Sequence, residues 1–189
     1  LGVARFDGAA WLVDSLADGL ADNSVGALAI DGEGTVWAAH GLGRPVSLSA
    51  FDGSRWRALS TADSPGLPGD AAVALAVTPD GALALASVAG GAGIHDSGGW
   101  TTLRDTAQPA AYIPFALEEA PDGSLWVGFA LSYGAHAIQR RAGGRWETWT
   151  LADGIPHLAP LGANLGALAF DSEGQPWLGT WNSGLLTRT

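Results

Sequence analysis

Two adjacent carboxylates, Glu118 and Glu119, four histidines and a few aromatic residues off the regular pattern are what this 189-residue chain offers for chemistry. Successive residues of a strand point to opposite faces, so Glu118 and Glu119 cannot work as one acid–base pair. Counted back from the glycine of the following turn, they take places that hold Ala29 and Ile30, Ala76 and Val77, and Ala169 and Phe170 elsewhere. A carboxylate in such an apolar place needs partners or carries a raised pKa, which makes Glu118 a candidate site residue. His40, His95, His136 and His157 show no metal-ligand spacing. "DGEG" and "DSEG" lack the oxygen ligands of a calcium loop and read as hairpin turns. No nucleophile elbow, phosphate loop or dinucleotide fingerprint occurs. The chain has no cysteine, which excludes disulfides, thiolate catalysis and cysteine-bound zinc. No catalytic residue, cofactor or metal is expected.

Nine basic residues, all arginine, face nineteen acidic ones, for a formal net charge of -10. That field repels phosphate backbones and anionic lipid surfaces, so nucleic acid and direct membrane insertion are poor expectations. Apolar residues make up 47% of the chain, enough for a packed core. No apolar run approaches the ~18–20 residues that span a bilayer. The chain starts at Leu1 and contains no methionine.

The elements that must position the candidates form a repeat. Gly34, Gly81, Gly123 and Gly174 close acidic turns and are separated by 47, 42 and 51 residues. Trp11, Trp56, Trp100 and Trp146 follow one another at 45, 44 and 46 residues. Two markers thus share one period, the length of a four-stranded propeller blade. Within the first copy, "VGALAID" reads as an inner strand, "TVWAAH" as the second, "GLGRPVSLSAF" carries the third and "RWRALS" is the fourth. The expected fold is all-β, a β-propeller of about four four-stranded blades. Repeats cover 18–62, 63–106, 107–152 and 153–189, and residues 1–17 supply strands of a terminal blade. Trp37, Trp126 and Trp177 share one repeat position, and packing between blades predicts that all three are mostly buried. Ala84 stands there in the second copy.

"DGLADNSVGALAIDGEGTVWAAHGLG", "LSAFDGSRW", "APDGSLWVGF", "EGQPWLGTWNSGLL" and "GVARFDG" resemble the two-component regulator propeller repeat. The likeness covers nearly the whole chain and is weaker around residues 82–100. It implies an extracytoplasmic sensing part of a larger signalling protein, at the periplasm or cell surface, and says little about activity.

In such an array the loops after each second strand and those entering each inner strand gather at one end, where ligands usually bind. His40, Arg44, Tyr133, His136, Trp181 and Asn182 fall in the first loop class. Tyr112, His157 and Asn164 fall in the second. "ALSYGAH" and "IPHLAPLGAN" depart from the repeat there, which marks this end as a binding face. With Glu118, these residues are the ligand or partner candidates. The expected function is a non-catalytic binding module that takes a protein partner, a carbohydrate or a small molecule. A structural subunit of a surface or membrane-associated assembly is the alternative, and a propeller lyase or glycoside hydrolase the second.

Gly2–Asp7 and Gly184–Thr189 align with the same third strand. Either one of them is displaced from a closed four-bladed ring, or the chain is part of a larger propeller. The absent methionine favours the latter.

Overall fold

Alternating apolar residues broken by Asp-Gly and Gly-Gly turns leave the chain one regular option, the antiparallel meander. The computed structural model has that form. It describes residues 2–41, 48–69, 71–88, 91–103, 112–131, 136–150, 153–154, 165–180 and 184–187. Among them there is no α-helix, a short 3-10 turn stands at Leu16–Asp18, and no helix is long and apolar enough to cross a membrane.

The chain divides into two compact units, Leu1–Leu103 and Arg104–Thr189. In the first, β1 (Val3–Phe6) and β2 (Trp11–Asp14) form a hairpin. Blade 1 comprises β3 (Ala27–Ile30), β4 (Val36–Ala39), β5 (Leu48–Phe51) and β6 (Trp56–Leu59). Blade 2 comprises β7 (Ala72–Val77), β8 (Leu83–Ser87), β9 (Gly91–Asp96) and β10 (Gly99–Leu103). The second unit holds blade 3, with β11 (Tyr112–Glu119), β12 (Leu125–Leu131), β13 (His136–Ala142) and β14 (Arg145–Trp149). Its last sheet has three strands, β15 (Leu165–Phe170), β16 (Pro176–Thr180) and β17 (Leu185–Thr187). Every strand pairs with its sequence neighbour, antiparallel, so each sheet is a meander.

The recurring acidic residue, glycine and tryptophan are one device. Asp31 Oδ1 accepts hydrogen bonds from the Glu33 and Thr35 amides at 3.0 and 2.9 Å. Asp31 Oδ2 accepts from the Trp37 indole at 2.7 Å. Gly34 closes the turn at φ +86°, a conformation that costs a side-chain-bearing residue energy. Asp171 repeats the arrangement with the Glu173 and Gln175 amides and the Trp177 indole, at 3.0, 2.9 and 2.9 Å. In blade 3 the indole of Trp126 donates to Ser124 Oγ at 2.8 Å instead. There Asp122 binds Ser124 and Arg140, and the Ser124 hydroxyl, then its amide, then Arg140 hold the Asp122 carboxyl at about 2. The carboxylate thus pins the turn and orients the indole.

The oriented indoles pack. Trp37 is 3% exposed, in a core shared by blades 1 and 2 with Ala39, Leu48, Ala72, Leu83 and Leu85. Trp126 is half-buried, stacked on Trp149 at 5.2 Å and edge-on to Phe170 at 5.4 Å. Trp177 departs from the expectation of burial. It is 37% exposed, because the sheet face that carries it has no packed core among the described residues. The other tryptophan series divides similarly: Trp56 is buried, whereas Trp11, on the lone hairpin, is 69% exposed.

Candidate functional site

Antiparallel pairing puts the turns between strands one and two, and between three and four, at the same end of a blade. In the first unit this end is drawn together by a backbone bond between blades. The Gly32 amide donates to the Gly81 carbonyl at 2.7 Å. A Cβ on Gly32 would lie 2.9 Å from Gly81 Cα, so only glycine permits this approach. Beside this contact lies an open hollow of about 430 Å3, lined by Asp31, Glu33, Asp80, His95, Asp96 and Ser97 among others.

Three of the wall carboxylates, Asp31, Asp80 and Asp96, have a structural duty. Asp31 holds its turn and Trp37. The Thr78 hydroxyl donates to Asp80 and holds its carboxyl below the ordinary range. Asp96 accepts from the Gly98 amide at 2.7 Å. His95 sits 5.0 Å from the Trp37 ring and 4.9 Å from the Trp100 ring, which fixes the imidazole against an aromatic wall. Four carboxylates and no arginine line the hollow, so its field favours cations. Among the described residues no three histidine or carboxylate side chains converge as metal ligands.

The sequence expectation looked to the other end of the blades. Of its candidates, Arg44, Tyr133, His157, Asn164, Trp181 and Asn182 lie outside the described residues. Tyr112 and His136 contribute strand backbone, pairing with Leu131 and Ala130. His40 is buried with both ring nitrogens engaged. Nδ1 lies 2.8 Å from the Ser24 carbonyl, and Nε2 lies 2.8 Å from Ser49 Oγ. A carbonyl only accepts, so Nδ1 carries the proton and Nε2 accepts from the Ser49 hydroxyl. Ser49 Oγ in turn accepts from the Ala21 amide at 2.9 Å, so the imidazole ties the 20–25 loop to blade 1. Glu118 lies opposite Trp126 in the ladder. It is exposed as a residue, yet burial around its carboxyl raises its pKa.

The hollow itself escaped the sequence reading. Its signal was available: acidic turns recur one blade length apart, so neighbouring blades must bring them to the same end.

No protein-family model matches the chain, and no curated protein sequence matches it. Solved structures share its fold. The extracellular domain of the putative hybrid two-component system BT3049 from B. thetaiotaomicron matches with a TM-score of 0.72 at 16% identity, over 97% of this chain and 24% of that one. The corresponding domain of BT4673 from the same organism matches with a TM-score of 0.64 at 16% identity, over 88% of this chain and 21% of that one. A streptogramin B lyase matches with a TM-score of 0.60 at 18% identity, over 89% of this chain and 55% of that enzyme. The chain therefore has the all-β blade architecture of propeller domains, and spans a quarter or less of the two extracellular domains.

Proposed function

We propose that this chain is a non-catalytic propeller module for extracytoplasmic ligand sensing or protein docking. The observation that carries this reading is the fold shared with extracellular domains of two-component system proteins. The scarcity of chemistry in the sequence supports it, because no residue set supplies a nucleophile, a base and an orienting group. The ligand face on this reading is the one that the sequence repeat assigns to the loops carrying Tyr133, His136, His157 and Trp181, where the chain departs from its repeat. A rim aromatic such as Trp181 stacks on a sugar or a partner side chain.

The test uses the full chain with a panel of neutral and charged oligosaccharides, read by thermal shift and by recovery of the carbohydrate. The expected result is a raised midpoint with one carbohydrate class, lost in Trp181→Ala, and complete recovery of the intact ligand. Release of new reducing ends or an unsaturated product, abolished by His136→Ala or Glu118→Gln, contradicts the reading in favour of an enzyme.

A further inference from the structure

The first strand of each sheet places one residue opposite the repeat tryptophan position of the second. Ala29 lies opposite Trp37, Ala76 opposite Ala84 and Ala169 opposite Trp177. In blade 3 that place is taken by Glu118, opposite Trp126. Three copies keep the place small and apolar, and one puts a carboxyl group there.

Glu118 stands on the face turned to the last sheet. Residues two apart on a strand share a face, and so do cross-strand partners. Ala116 clusters with Leu168 and Leu178 of that sheet, and Trp126 meets Phe170 edge-on at 5.4 Å. Ala29 and Trp37 meet blade 2 in the same manner. The joint between blade 3 and the last sheet therefore has a carboxyl group at its margin, where burial raises its pKa. On the same face Arg140 stands opposite Trp126, 5.9 Å from that ring, and is engaged by Asp122 at 2.7 Å and Glu147 at 3.4 Å. β14 adds Arg145 at its far end, and Glu119 points to the opposite face. β15, β16 and β17 carry no charged residue, and the β15–β16 turn holds Asp171 and Glu173. Among the described residues no cation pairs with Glu118.

We propose that Glu118 is a pH-sensitive catch between blade 3 and the last sheet: ionised, it loosens the joint, and protonated, it lets the sheet seat against Trp126. The catch works whatever the chain binds. Its sign follows from the penalty on the charged form. The seated joint disfavours the ionised carboxylate, so seating is fullest below the ordinary carboxylate range and weakens as pH rises through the raised value. Asp122, held at about 2, and Asp171, held below its ordinary value, are shifted the other way. Their contributions are complete above about pH 4, so they do not mimic the effect of Glu118.

Hydrogen exchange of the full chain, read peptide by peptide from about pH 4 to about pH 8 and corrected for the intrinsic rate, tests this. In the wild type β15 and β16 lose protection as pH rises, while β4 and β8 keep theirs. Glu118→Gln keeps the shape of the side chain and removes its charge, so β15 and β16 hold their acid-level protection across the range. Glu118→Ala, which installs the residue of the other three copies, gives the same flat profile. Protection of β15 and β16 that does not change with pH in the wild type overturns the proposal. So does a wild-type pH dependence that persists in either variant.

Discussion

The Asp31 carboxylate accepts three hydrogen bonds, two from its turn and one from the Trp37 indole. Removing the carboxylate leaves those donors to water or to nothing. Asp31→Ala should lower unfolding free energy by about 1–3 kcal/mol in urea titration, with near-ultraviolet dichroism showing a loosened tryptophan. Glu118 makes the opposite prediction. Its raised pKa means that the folded state penalises the ionised form, so stability declines as pH rises past the unfolded value towards the folded one. Glu118→Gln should raise the midpoint at neutral pH and leave it unchanged in acid well below both values, which a melting series over pH checks. His40 was legible as a polar residue of interest, but not as a buried one. Its partners Ser24 and Ser49 belong to a loop entering the blade and to the third strand, and sequence spacing does not bring those together.

The turns set the scale of the element. Their acidic residue and glycine were plain in the sequence because both are local: the carboxylate caps its own turn within four residues, and glycine supplies the positive φ. The strands around them were plain for the same reason. The contact of Gly32 with Gly81 was not, because it depends on how two blades approach. Gly32→Ala should cost about 1–3 kcal/mol, since the added methyl meets backbone and the blades must part. The urea midpoint of the first unit reads this directly. Ala9→Ser, on the exposed β1–β2 turn, is the control and should stay within about 0.5 kcal/mol.

At the scale of the whole molecule, the 45-residue rhythm specified blades, because each blade must bury a face against another. It did not specify which copies of the tryptophan are covered. Trp37, Trp126 and Trp177 share one sequence position, yet Trp37 is 3% exposed, Trp126 is half-buried and Trp177 is 37% exposed. Burial depends on the neighbouring sheet, and the repeat motif is blind to it. The same residue type with the same capping carboxylate therefore sits in two environments, covered at Trp37 and open at Trp177. If the motif is an interface device, its worth must follow coverage. The decisive measurement is urea unfolding of Trp37→Ala and Trp177→Ala in dilute solution. The account expects a loss of about 3–5 kcal/mol for Trp37→Ala and well under half of that for Trp177→Ala. Equal losses, or a negligible loss at Trp37, contradict it.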